Sequence, residues 1–256
     1  MIKKTPWIGT SWKMNKTRAE ARDFARILAR SPVAGTDDAR LFVIPPFTAI
    51  SEVAEALAPT SIRVGAQNMH WAPDGPWTGE ISAAMILDAG ATLVEIGHSE
   101  RRAHFGETDE TVALKTKAAI DNGLLALVCV GDTRAEYDAS QTSEVLARQT
   151  RIALSGLRSD DRDKIVIAYE PVWSIGEGGV PADPAFADLQ HRRIKEVSRR
   201  LFAEPVDVVY GGSVNPDNCR ALASRNDIDG LFIGRSAWNP LGYIDIVEKV
   251  AGALSG

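Results

Sequence analysis

Short apolar runs recur along the chain at 7–12, 41–44, 62–66, 92–97, 124–130, 165–169, 206–210 and 231–234. Few of them alternate strictly between apolar and polar positions. They read as strands covered on both faces, the pattern of parallel sheets flanked by helices. The intervening segments carry helical signals. Thr17 and Glu20 have the spacing of a capping box, and Ala21, Phe24, Ala25 and Leu28 follow at i, i+3, i+4 and i+7. Asp183 and Pro184 supply an N-cap and a first-turn proline ahead of Phe186, Leu189, Ile194, Val197 and Leu201, which predicts a second amphipathic helix.

Eight strand–helix units suggest an α/β fold whose parallel strands close into an eight-stranded (β/α)8 barrel. An open doubly wound sheet is the alternative. It gives no reason for chemically loaded residues at the ends of strands 1, 4, 6, 7 and 8 alike, whereas in a barrel those ends share one mouth. No linker, low-complexity tract or repeat divides the 256 residues, so a single domain over 1–256 is expected.

Composition narrows the partners. With 45% hydrophobic and 25% charged residues and a net charge of −5, the chain suits neither a nucleic-acid surface nor an anionic membrane. Pro6, Gly9, Thr10, Ser11 and Lys13 break up any leader-like apolar stretch, and no run approaches the roughly 18 residues of a membrane span. The two cysteines, Cys129 and Cys219, lack the spacing of a zinc site and are too few for a disulfide framework. A cytoplasmic protein is expected.

The candidate chemistry lies at the strand ends. Strand 6 ends on Glu170, followed by Pro171 and a glycine-punctuated loop, which reads as a general base beside a mobile lid. Strand 4 delivers His98 where a helix should begin, a setting that favours a neutral imidazole able to donate to a developing oxyanion. Glu100 and Arg101 beside it read as an ion pair within the chain or across an interface. Glycine-rich turns after strands 7 and 8, YGGSV and GLFIGRS, are expected at helix starts, where backbone amides bind phosphate. Lys13 at the end of strand 1 adds a point charge. Base, imidazole, cation and phosphate cradle together describe an enolising site for a small phosphorylated molecule, which requires no metal or organic cofactor.

The segments SWKMNK, EIGHSERR, AYEPVWSIG, YGGSV and DGLFIG, in this order, resemble the signature segments of the triosephosphate isomerase family over essentially the whole chain. The resemblance implies a TIM barrel with Glu170 as base, His98 as electrophile, Lys13 as electrostatic partner, and Gly176, Ser213 and Gly234 as phosphate donors. The mechanism that the resemblance implies is the family's own, a carboxylate base and a neutral histidine under a closing loop. The lid would run through Pro171, Val172, Trp173, Ser174, Ile175, Gly176, Glu177, Gly178, Gly179 and Val180. The resemblance also implies a homodimer in which the loop QNMHWAPDGPWTGE carries Thr78 into the neighbour, with Glu100, Arg101 and Tyr210 in supporting positions, and it implies a buried packing role for Cys129.

Four departures from the family pattern stand out. Ser11 replaces asparagine, Gly234-Arg235 replaces Gly-Gly, the lid tip differs, and Asp132 replaces glutamate. Ser11, Arg235, IGRSAWN and QNMHW are similar to a divergent branch of the family that acts on four-carbon ketose phosphates in erythritol breakdown. The implied reaction converts L-erythrulose 1-phosphate to D-erythrulose 4-phosphate, with the shorter Ser11 leaving room for the extra hydroxymethyl group. The alternatives are the three-carbon glycolytic reaction, a non-catalytic sugar-phosphate binder, and a Schiff-base aldolase using Lys13.

Overall fold

The structure is a computed structural model that describes residues 5–176 and 178–254. Eight strands, β1 (Trp7–Ser11), β2 (Arg40–Ile44), β3 (Arg63–Ala66), β4 (Leu93–Ile96), β5 (Leu125–Val130), β6 (Ile165–Tyr169), β7 (Asp207–Tyr210) and β8 (Gly230–Ile233), pair in parallel. They close in sequence order, β8 pairing with β1 through Trp7–Gly230 and Ile8–Leu231. β1 and β4 stop short of the predicted ends because the backbone turns left-handed just beyond them, at Lys13 (φ 53°) and Gly97 (φ 78°).

The helices that return the chain are α1 (Arg18–Ala29), α2 (Ile50–Leu57), α3 (Ala83–Asp88), α4 (Ser99–His104) and α5 (Asp109–Asp121) in the first half. α6 (Arg134–Asp138), α7 (Thr142–Ala153), α8 (Pro184–Phe202), α9 (Cys219–Ala223) and α10 (Pro240–Leu254) complete the ring. α1 starts as its sequence predicts: Thr17 accepts from the Glu20 amide, Glu20 caps Thr17 in return, and Ala21, Phe24, Ala25 and Leu28 are buried. Among the described residues, no helix is long and apolar enough to cross a membrane.

α8 also starts as expected, Asp183 accepting from the amides of Ala185 and Phe186, but its buried face differs from the predicted one. Leu189 and Leu201 are exposed, while Ala187, His191, Ile194, Ser198 and Phe202 are buried. The polar members are tolerated inside because they find backbone partners. His191 Nδ1 lies 2.7 Å from the Ala187 carbonyl, and Ser198 Oγ donates to Lys195 O and accepts from Val206 N. Burial lowers the His191 pKa to about 4, keeping the ring neutral.

The absence of alternation has a direct explanation in β5. Leu125, Leu127 and Cys129 pack into the barrel interior with Trp7, Phe42, Leu93, Val166 and Phe232, whereas Ala126, Val128 and Val130 pack outward beneath the helices. Both faces are covered, and each large side chain so buried is worth about 1.5–3 kcal/mol. The interior is filled, with Phe42 stacked on Phe232 at 5.8 Å. The same period of two carries into the mouth: Ser11 follows Trp7 and Gly9, Glu95 follows Leu93, and Glu170 follows Val166 and Ala168 on the inward side.

Candidate active site

At the carboxyl ends of the strands lies a cavity of about 280 Å³. Ser11, Lys13, His98 and Glu170 are among the residues that line it. Gly176, Ser213, Gly234 and the exposed Arg235 line it as well, as do Ser174 and Ile175. A larger cleft of about 470 Å³ opens at the opposite end, among Trp7, Arg40, Arg162 and Asp207. Its charges already have partners, Arg40 pairing with Asp207 at 2.9 Å and Arg162 with Asp163 at 2.6 Å, and no candidate residue faces it.

His98 is the N-cap of α4. Its Nδ1 accepts a hydrogen bond from the Glu100 amide at 3.1 Å, which leaves the ring proton on Nε2. Nε2 lies 3.2 Å from Glu170 Oε1 and 3.9 Å from Glu95 Oε1. Glu170 is buried, and its other oxygen accepts from the Ser99 amide at 3.0 Å. The backbone of Glu170 sits against Gly131, where a Cβ would fall 1.9 Å from its carbonyl oxygen, so only glycine allows the strands this close approach. Lys13 Nζ meets Glu100 Oε1 at 2.7 Å, and its carbonyl accepts from Gln67 Nε2 at 2.9 Å. Its left-handed backbone, which costs a non-glycine residue on the order of 1–3 kcal/mol, is held by these two contacts.

Several expectations are corrected. Arg101 pairs with Glu107 at 2.7 Å and not with Glu100, whose carboxylate is taken by Lys13. The turn after β7 does not open a helix; α9 begins only at Cys219. Instead, Asn215 and Asn218 shape the loop, Asn215 Oδ1 accepting the amides of Asp217 and Asn218, and Asn218 Nδ2 donating to Ser213 O. After β8 a single 3-10 turn, Arg235–Ala237, follows Gly234. Thr78 is exposed, and Tyr210 is buried with its ring edge-on to Tyr169.

Pro171, Val172, Trp173, Gly178, Gly179 and Val180 do not line the cavity, and Glu177 lies outside the described residues. Gly176 has φ 89°, a conformation the tip requires of a glycine. The root of the segment is fixed through Asp132, which is fully buried and accepts from Tyr169 Oη at 3.0 Å, Thr142 Oγ1 at 2.7 Å and Trp173 Nε1 at 3.2 Å. Trp173 also stacks near Tyr137 at 4.4 Å. Cys129 is buried, and burial, followed by the charge of Glu170, pushes its thiol well above the ordinary range, as suits a packing residue.

Sequence reasoning missed Glu95. It receives the Ser11 hydroxyl at Oε2, 2.8 Å away, and burial pushes its carboxyl up to about 7. Its inward parity with Leu93, one step of two along β4, was the available signal. Among the described residues, Glu95, His98 and Glu170 form the group of side chains able to share a metal ion, their donor atoms lying within 4.8 Å of one another.

The model of the family described as triosephosphate isomerase matches residues 6–250. L-erythrulose-1-phosphate isomerase of Rhizobium rhizogenes (strain K84) is 52% identical over 98% of this chain and 96% of its own length. The protein of the same name from Mesorhizobium japonicum is 55% identical over 97% of this chain and 98% of its own. The crystal structure of triosephosphate isomerase from Bartonella henselae superposes with a TM-score of 0.86 at 34% identity, covering 96% of this chain and 98% of that one.

Proposed function

The chain belongs to the triosephosphate isomerase family, and from that premise we propose that it converts L-erythrulose 1-phosphate to D-erythrulose 4-phosphate. The observation that carries the chemistry is the convergence of Glu170, His98 Nε2 and Lys13 on one cavity of about 280 Å³. The names of relatives more than half identical over nearly their whole length support the four-carbon substrate.

Glu170 removes the proton from C3, next to the C2 carbonyl, and the electron pair moves through a C2–C3 double bond onto O2. The Nε2 proton of His98 and the Lys13 ammonium stabilise that charge. A proton then passes from O3 to O2 through the imidazole, and Glu170 returns its own proton to C2. The carbonyl now stands at C3, and numbering from the other end gives D-erythrulose 4-phosphate. The phosphate rests against Gly176, Ser213 and Gly234, with Arg235 at the rim.

We further read the protein as a cytoplasmic homodimer. Both cysteines are free and buried. Met14, Phe47, Trp77, Met85 and Phe105 are large apolar side chains left exposed, all from connections that follow β1 to β4. The loop carrying Trp77 is preformed, His70 stacking on Trp71 at 4.1 Å and meeting Trp77 at a tilt, 4.3 Å away.

The test is kcat/KM for both ketose phosphates. A modest tetrulose preference is expected, because one carbon is usually worth about 1–3 kcal/mol in a pocket. A triose preference of several orders of magnitude would sink the assignment. Glu170→Gln should lower turnover about 10²–10⁴-fold on either substrate.

A further inference from the structure

Ser11 and Glu95 come from strands that are not neighbours in the barrel, and their side chains meet inside it. Ser11 is held from three sides. Its backbone is in register with Ile44, its carbonyl accepts from Trp238 Nε1 at 3.0 Å, and its hydroxyl donates to Glu95 Oε2 at 2.8 Å. A serine hydroxyl has one proton. With that proton directed at the Glu95 carboxylate, the Ser11 oxygen offers only lone pairs to the cavity it lines.

The phosphate lies toward the glycine turns and the reacting carbons lie between Glu170 and His98. Ser11 Oγ meets Glu95, and Glu95 Oε1 lies 3.9 Å from His98 Nε2, so the serine hydroxyl stands beside the imidazole that faces the reacting carbons, and the fourth carbon, bonded to that pair, is assigned to it. The group a tetrulose phosphate carries there, and a triose phosphate lacks, is a hydroxymethyl with a proton to donate.

We propose that Ser11, oriented by Glu95, is the specificity-determining residue for the fourth carbon, accepting a hydrogen bond from the terminal hydroxyl of the substrate. The inference rests on the tetrulose reading above and goes beyond spare room. A site that merely had space would tolerate the extra carbon, whereas an acceptor fixed in direction selects it. Glu95 acts through Ser11 and is a positioning residue.

The experiment compares kcat/KM for L-erythrulose 1-phosphate with that for dihydroxyacetone phosphate in the intact enzyme and in Ser11→Ala, Glu95→Leu and Glu95→Gln. The ratio cancels losses common to both substrates. Ser11→Ala keeps the room and removes the acceptor, so the ratio should fall about three- to tenfold, the worth of one neutral hydrogen bond. Glu95→Leu should lower it similarly by freeing the serine proton, while Glu95→Gln, which keeps an oxygen for that proton, should preserve it. A Ser11→Ala ratio equal to that of the unaltered enzyme overturns the inference alone and leaves room as the explanation. An unaltered enzyme that favours the triose overturns the inference together with the tetrulose reading.

Discussion

Replacing Glu95 by glutamine should change how stability depends on pH. An ordinary glutamate titrates at 4.5, whereas Glu95 titrates at about 7, chiefly because it is fully buried. His98 and the Ser11 hydrogen bond act against that rise, and the charge of Glu170 adds to it. Each tenfold difference in proton affinity between folded and unfolded chain is worth about 1.4 kcal/mol, so the full gap corresponds to roughly 3 kcal/mol. The folded protein holds this proton more tightly than the unfolded chain does. Its contribution therefore favours folding fully below pH 4.5 and is lost as the pH rises through about 7. Glutamine cannot ionise, so the stability of Glu95→Gln relative to the unaltered protein should climb by up to roughly 3 kcal/mol between about pH 5 and pH 8, then level off. Urea titrations at matched protein concentration and ionic strength measure this, the matching being necessary because assembly itself contributes to stability. A stability difference that stays flat across the interval would falsify the argument that burial governs this carboxyl.

Two further outcomes follow from the same contacts. Gly131→Ala would put a methyl 1.9 Å from the carbonyl oxygen of Glu170 and push the proposed base out of place. A misplacement of about 1 Å can cost on the order of 10²-fold, so kcat should fall while KM changes little, and unchanged kcat would show that the strands can separate freely here. If the proposed homodimer forms through the exposed face around Met14, which is 97% exposed, Met14→Arg should shift the protein to half its mass in sedimentation equilibrium, and an unchanged mass would overturn that reading of the face.

Much of the barrel was legible because strand residues buried on both faces leave apolar runs in the sequence, as β5 does with Leu125 through Val130. The residues at the strand ends were legible for the opposite reason: Lys13, His98 and Glu170 are polar where a buried strand has no use for polarity. Glu95 was hidden between these two rules. It sits inside a strand among apolar neighbours, and only the interior of a closed barrel gives a carboxylate there a partner such as Ser11. The face of α8 was misread because residue type was taken as a proxy for burial, whereas His191 and Ser198 bond to backbone groups and can therefore be buried while Leu189 and Leu201 stay out. The pairing of Arg101 with Glu107 depends on a fold-level contact, since Lys13 reaches across from another loop to claim Glu100.

The bond between Ser11 and Glu95 belongs to the wall of the barrel. Ser11 is the last residue of β1 and Glu95 lies within β4, whereas Gly176, Ser213 and Arg235 all lie in connections. Grafting the loops of this protein onto a related barrel would carry over the proposed phosphate seat and its cover. On the proposed role of Ser11, the length of sugar the chimera accepts would still be set by the recipient's own strands, so moving this trait between barrels would mean editing two staves at once.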